Sequence, residues 1–469
     1  MSTLIMKFGG SSVGTTTALT QVLSIVLHER EQRERLLLVA SALDGVTDAL
    51  LEAGHLAQLG NQRGYRRIVA NLRTRHLALI EELPLGSNER VTLQVDIDRL
   101  LFDMLDVFQN MSQVNNPRSM AESLDLTIGV GEKLAARIIA ALLRQNNVRS
   151  VAMDTTSLIV TDDVFGSAAP IIPLSQAKIR ENLLPIMERG IVPVVTGFIG
   201  ATRAGKPTTM GRGGSDYTAS VLGVCVRADE IWMWTDVDGM MSADPRDIAD
   251  ARVIPALSYD EVAELAYFGA RILHARMVGP LREHLVPLRL KNIFRPQQPG
   301  TLIHSIPADR AHPIKAVTSI SGLALSAESS GPLAAIVALV DEALFTTTHS
   351  HADVMISSQS SNRSFLCFLI PTFAGPDAVH AARQAVEDRL RAKPETEEWR
   401  AQPATIITAI GANLHESPQT AAAILQALNG LPVLGMAQGP SFCSLSVVVD
   451  VANAEIALER IHNLIVNTG

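Results

Sequence analysis

Aromatic residues are scarce in this sequence: 12 Phe, 4 Tyr and 3 Trp make up 4% of 469 residues. That scarcity argues against the base-stacking platforms that hold single-stranded nucleic acid. Positive charge is not in excess either. With 40 Lys+Arg against 48 Asp+Glu the formal net charge is −8, so no nucleic-acid partner is expected. Cysteines number only three (Cys225, Cys367 and Cys443), far apart and set in apolar runs, so they read as reduced core residues rather than disulfides or metal ligands. Long apolar runs are missing too. The most apolar inner stretch, 191–199, is far short of a membrane span, and the opening Leu4-Ile5-Met6 breaks at Lys7, too early for a signal peptide. A cytoplasmic protein without a membrane partner is expected.

What is present is a chain built to bury itself, 47% hydrophobic and 19% charged. Single cores rarely grow beyond roughly 250–300 residues, so two or three domains are expected. The stretch Met210-Gly211-Arg212-Gly213-Gly214-Ser215-Asp216 stands out, because it runs into an apolar helical pattern. Glycines let backbone N–H groups approach an anion, and the helix N-terminus adds partial positive charge. Such a loop suits a phosphate or a carboxylate, although an ordinary glycine turn has the same composition. The opening Thr3–Phe8 reads as a buried strand carrying Lys7 near its end, followed by the turn Gly9-Gly10-Ser11-Ser12. A lysine at the carboxyl end of a strand is placed for a ligand in an α/β crevice. The spacing is not that of a Walker A loop.

Further along, Leu36–Ala40 reads as a second buried strand that empties into Ser41-Ala42-Leu43-Asp44-Gly45-Val46-Thr47-Asp48. Residues 50–145 are mostly helical in pattern. Within them Gly131-Glu132 opens a helix, where Glu132 can answer the helix dipole, and Asp125 reads as a structural cap. Strands at 148–153, 191–195 and 230–234 alternate with helices, which indicates a largely parallel sheet covered on both faces. The last of them ends in the acidic turn Thr235-Asp236-Val237-Asp238-Gly239, and Ser258…Glu261 forms a capping box. From about residue 314 the texture changes to short alternating strands and alanine-rich helices. Two βαββα units recur, with Gln359 and Gln438 in like positions, the pattern of small α+β modules.

Taken in order, several motifs resemble aspartate kinase: Lys7-Phe8-Gly9-Gly10-Ser11-Ser12-Val13-Gly14, Ser41-Ala42 with Gly45-Val46-Thr47, Gly131-Glu132, Gly197-Phe198, Gly211–Asp216, Thr235–Gly239 with Ala243–Arg246, and Phe268-Gly269-Ala270. The resemblance spans the chain. It implies an α/β amino-acid-kinase fold, with a mainly parallel central sheet flanked by helices, over residues 1–305. A C-terminal α+β regulatory region of two ACT modules (βαββαβ) follows over 306–469, at about 316–395 and 400–469. The implied reaction is transfer of the ATP γ-phosphate to the β-carboxylate of L-aspartate, with Mg²⁺ bridging phosphate oxygens.

By resemblance, Lys7 and Asp216 are the catalytic pair. Ser41, Thr47, Glu132, Arg212 and Ser215 bind the amino acid, Arg212 at its α-carboxylate and Glu132 at its α-ammonium. Lys7, Gly9, Gly10, Ser11, Thr235, Asp236, Met241, Arg246 and Arg271 serve the nucleotide. The ACT pair implies an amino-acid effector, threonine or lysine, with Ser329, Ser330, Gln359, Ser360 and Gln438 as candidate contacts, and a homodimer or higher oligomer. Val354 stands where lysine-sensitive relatives tend to carry aspartate, which leans toward threonine. Departures from the family pattern are Arg271 for the usual lysine, Ala275 after His274, and Asp48 for asparagine. With the sequence ending at Gly469, the dehydrogenase fused to some relatives is not expected. Two alternatives stay open: a same-fold kinase for another acidic amino acid, and a non-catalytic amino-acid sensor on a kinase scaffold.

Overall fold

The structure is a computed structural model. It describes all residues except 1, 115, 270–272, 274, 306–312, 330–332, 349–350, 371–376, 394–395, 397 and 467–469. The chain forms two compact units: residues 1–240 with 273–305, and 241–272 with 306–469.

The first unit is built on a twisted sheet whose spatial order is Ser150–Met153, Val192–Thr196, Arg35–Ala40, Thr3–Phe8, Glu230–Thr235, Leu288–Asn292 and Thr301–His304. The first six are parallel and the last is antiparallel. Buried parallel strands are apolar on both faces. In Thr3–Phe8 every residue but Lys7 is buried. Leu4, Met6 and Phe8 point into a core shared with the helices Thr16–Gln32 and Val130–Gln145. Strand alternation turns Ile5 and Lys7 to the opposite face. The helix Gly214–Val226 packs there. The five helices Val46–Gln58, Gln62–Glu82, Ser87–Met111, Pro117–Ile128 and Val130–Gln145 fill the expected helical region.

Chain order around Thr3–Phe8 decides where a ligand can sit. The crossover after it goes to Arg35–Ala40 on one side, and the chain later returns to Glu230–Thr235 on the other. Connections diverging from one strand leave a crevice at its carboxyl end, the usual ligand position in open α/β sheets.

The second unit holds a six-stranded antiparallel sheet ordered Asp353–Gln359, Ser364–Leu369, Ala316–Ala327, Arg400–Ile410, Ser444–Asp450 and Val433–Gln438. The two long strands pair in the middle over eleven positions from Ala316↔Ile410 to Ser326↔Arg400. Each half repeats strand, helix, two strands, helix. The repeat extends to irregularities: the register shifts between Val354 and Ile356 in one edge strand, and between Val433 and Gly435 in the other. Cys225, Cys367 and Cys443 are free and buried.

Segment 241–272 is fastened into this unit by buried polar contacts. Ser242 Oγ meets His462 Nε2 at 2.9 Å, and the Ser242 carbonyl accepts from Val317 N at 2.8 Å. Glu261 completes the expected capping box with Ser258 and pairs with Lys315 Nζ at 2.7 Å, both side chains almost wholly out of water. Removing one member of a buried ion pair leaves an uncompensated charge, which costs about 3–5 kcal/mol. Lys315→Ala should therefore lower the unfolding free energy of this unit, read from urea titration, by an amount in that range. A loss below about 1 kcal/mol would mean that water reaches the pair.

Candidate active site

Five separate stretches meet in one cavity of about 330 Å³. Lys7 lies opposite Val39 and Met233 on the neighbouring strands, so its side chain leaves the sheet at the carboxyl edge. There it meets Asp216 at 2.5 Å, with 14% and 16% of the two side chains exposed. Asp216 is the third residue of helix Gly214–Val226, where the helix dipole favours a carboxylate. The N-cap of that helix is Gly213, left-handed at φ 71 and without a side chain to occupy the first N–H groups. Gly211 is also left-handed, at φ 73.

The second wall is the loop 41–48, and the third is the start of helix Val130–Gln145. A Cβ on Gly131 would stand 2.7 Å from the Ala42 side chain, so glycine is what lets the helix come this close. The approach allows Glu132 Oε1 to accept from Ala42 N at 3.3 Å. Glu132 Oε2 is buried and finds no hydrogen-bond partner among the described residues. An orphaned buried acceptor lining a cavity fits a donor supplied by a ligand. Burial pushes the Glu132 carboxyl up to about 7, against the pull of its own backbone, Ala42 N and the Lys7 charge. Arg212 is its opposite: exposed, and in no ion pair or hydrogen bond with any other described residue.

The cavity brings together Lys7, Gly10, Ser41, Thr47, Glu132, Arg212, Ser215 and Asp216. It also recruits Asp44, Asp48 and Phe198, which the sequence did not single out as ligands. Gly9 sits beside Lys7, its N–H donating to the Trp234 carbonyl at 3.3 Å, and Ser11 is exposed on the short helix Gly10–Val13, where the sequence suggested a turn. Thr235 and Asp236 end the neighbouring strand, where Asn292 Nδ2 donates to the Asp236 carbonyl at 3.2 Å. Met241 and Arg246 belong to the second unit, where Arg246 pairs with Asp244. Arg271 lies outside the described residues. Asp125 does not cap a helix start. It sits near the end of helix Pro117–Ile128 and accepts from Gly166 N, Thr209 N and Thr209 Oγ1 at 2.7–2.9 Å.

In the second unit Gln359 Nε2 donates to Ser364 Oγ at 3.3 Å, which in turn donates to the Ser329 carbonyl at 2.8 Å. Ser360 turns back on Arg363, and Gln438 is exposed at the end of its strand. Ser330 is outside the described residues. Ser360 and Ser364 line a separate cavity of about 780 Å³, with Arg363, Arg400, Glu328 and Glu398 around it.

The sequence pattern of the amino acid kinase family matches residues 2–292. The chain belongs to the amino acid kinase family. Among curated amino acid kinases, aspartokinase 1, chloroplastic, of Arabidopsis thaliana is 34% identical over 310 residues, 64% of this chain and 52% of that protein. A bifunctional aspartokinase/homoserine dehydrogenase 1, chloroplastic, of Zea mays is 28% identical over 98% of this chain and 50% of its own length. The chain thus spans about half the length of the curated relatives it matches. Among solved structures, E. coli aspartokinase III in complex with lysine and aspartate (T-state) superposes with a TM-score of 0.79 at 24% identity, covering 98% of this chain and 99% of that one. The architecture is therefore the aspartokinase one, a large parallel sheet flanked by helices plus a C-terminal antiparallel region.

The Glu132 proton gives a test of the site's electrostatics. Because the folded carboxyl titrates above its ordinary 4.5, the native state holds a proton that the unfolded chain has already released. Stability is then lost as pH rises from 4.5 to about 7. Glu132→Gln should melt higher than the parent at pH 8 and close to it at pH 5, a difference of up to about 3 kcal/mol. Equal melting shifts at the two pH values would contradict the burial.

Proposed function

We propose that this protein is an aspartate kinase, transferring the γ-phosphate of ATP to the β-carboxylate of L-aspartate to give 4-phospho-L-aspartate. This is the first step toward the aspartate-derived amino acids lysine, threonine and methionine. One observation carries the reading: a cavity lined both by an exposed guanidinium at Arg212 and by a buried carboxylate oxygen at Glu132, neither with a partner among the described residues. A free α-amino acid presents the complementary pair, a carboxylate for the Arg212 fork and an ammonium for Glu132. An acylated amine has no donor of that strength, which counts against an N-acetylated substrate. The aspartokinase names among the relatives agree with this choice.

The substrate β-carboxylate is ionised at neutral pH, so it attacks phosphorus without a general base. One oxygen–phosphorus bond forms as the bond to the departing ADP oxygen breaks. Lys7 neutralises charge on the transferring group and Asp216 holds Lys7 on target, which makes catalysis chiefly positioning and electrostatics. Ser41, Thr47 and Ser215 add hydrogen bonds to the amino acid, while the Gly10 amide and the start of helix Gly214–Val226 face phosphate oxygens, Gly9 leaving room for their approach because it has no side chain. The carboxylates lining the cavity, Asp216, Asp44 and Asp48, are hard oxygen donors of the sort that meet Mg²⁺ once or twice when it is carried on phosphates. That ion would draw charge from the phosphates.

In this reading residues 1–305 are catalytic and 306–469 regulatory. The paired modules would bind an end-product amino acid, threonine or lysine, near Ser329, Ser330, Gln359, Ser360 and Gln438, with two copies of the chain joined through them. Effector control requires two states that bind the effector differently. A cytoplasmic location goes with this reading; no helix among the described residues is long and apolar enough to cross a membrane.

The test is ADP release from ATP with aspartate, glutamate and N-acetylglutamate, each with and without threonine or lysine. Turnover on aspartate is expected. Arg212→Ala should raise the aspartate KM about 10–100-fold, the worth of a charge-assisted hydrogen bond. Lys7→Ala should cut kcat by about 100-fold or more. Full activity in Lys7→Ala would overturn the mechanism, and no turnover on any acid would leave the sensor reading.

A further inference from the structure

The segment Gly211–Asp216 carries the exposed Arg212 between two left-handed glycines, at φ 73 and 71. Such a segment has wide backbone freedom, and freedom lost on binding weakens the bound state. Something outside the cavity must fix it. Arg276, in the first turn of helix Ala275–His284, is in place to do so. Its Nη1 donates to the Met210 carbonyl at 3.0 Å and meets Ser167 Oγ at 3.1 Å. Its Nη2 reaches the carbonyls of Ala168 at 3.3 Å and Ser167 at 3.4 Å. Its Cζ stands 5.3 Å from the centre of the Tyr217 ring. Met210 and Tyr217 flank the segment on either side, so one guanidinium holds both ends. Asp125 anchors the same two strips of chain from elsewhere, through Thr209 and Gly166.

We propose that Arg276 is a positioning residue for the acid-substrate loop: gripping Met210 and Tyr217, it holds Arg212 where a substrate carboxylate arrives. This rests on the reading that Arg212 receives that carboxylate. Arg276 does not line the cavity, so it acts through the loop and not by touching substrate. The work needs a planar fork with several donors and a flat face for the tyrosine ring. Lysine keeps the charge but has neither.

The experiment compares Arg276→Ala, Arg276→Lys and Arg212→Ala with the parent enzyme. Hydrogen exchange of peptides covering 208–218 reads the loop without any substrate. Steady-state KM for aspartate and for ATP reads its consequence. Expected are faster exchange confined to 208–218 and 164–170 in Arg276→Ala, and an aspartate KM raised about 10–100-fold with the ATP KM within about threefold. Arg276→Lys should fall between Arg276→Ala and the parent on both readouts, and millimolar guanidinium should partly restore Arg276→Ala. Unchanged exchange at 208–218 in Arg276→Ala, or in Arg276→Lys if the alanine protein does not fold, would overturn the proposal. So would a parallel rise in both KM values. If Arg212→Ala leaves the aspartate KM unchanged while exchange at 208–218 still quickens in Arg276→Ala, the positioning stands and the substrate reading fails.

Discussion

The first unit is arranged around one contact, the ion pair between Lys7 and Asp216. With only 14% and 16% of the two side chains in water, each charge has lost most of its hydration. Pairs of this kind often stabilise less than apolar residues of similar size would. Stability alone is therefore a poor reason for it. The pair makes sense as machinery: a cation held at the carboxyl edge of the sheet, by a carboxylate that the helix dipole already favours. Its geometry follows from elementary rules. Strand alternation sends Met6 and Phe8 into one core and Lys7 to the other face. A helix starting on a left-handed glycine brings Asp216 down to it.

Everything else in the cavity is held from behind. Arg75, on helix Gln62–Glu82, donates to the Asp44 carbonyl at 2.7 Å and so steadies the loop 41–48. Thr155 meets Thr196 and the Ile199 carbonyl, fixing the strand end beside Gly197. Gly197 has to be glycine, because Ser215 Oγ lies 2.5 Å from where its Cβ would be. A site made of loops gains precision only when such supports remove their freedom before a ligand arrives.

These supports mark the limit of what the sequence made legible. The strands were readable as apolar runs of four to six residues, the long helical region from its periodicity, and the repeat from Gln359 and Gln438. The cavity residues Lys7, Glu132, Arg212 and Asp216 were readable because glycine, charge and strand or helix ends coincide there. Arg75 and Asp125 were not. Their partners lie 31 and 84 residues away, and one side chain bonded to a distant backbone leaves no periodic trace. Asp125 was expected to cap a helix, since aspartate before an apolar run usually does so, but long-range acceptors outweighed that local preference. The attachment of 241–272 to the C-terminal residues was equally silent, because Ser242, Glu261, Lys315 and His462 are ordinary residues until the fold brings them together.

Glu132 shows how function is written into such a structure at the expense of stability. An apolar residue at this buried helix position beside Ala42 would have no charge to desolvate. The carboxylate instead sits buried, its pKa pushed up to about 7, with one oxygen left without a partner among the described residues. A buried polar group lacking its hydrogen bond costs about 1–3 kcal/mol. The same cost becomes binding selectivity once an ammonium enters, because the ligand supplies both the missing donor and the missing charge. It also makes the empty site sensitive to pH, since a carboxyl near neutrality must lose its proton to receive a cation. On the proposed reading, affinity for an α-amino acid is thereby tied to the protonation of one residue. A cavity merely shaped for aspartate, lined with neutral donors, would lack that link.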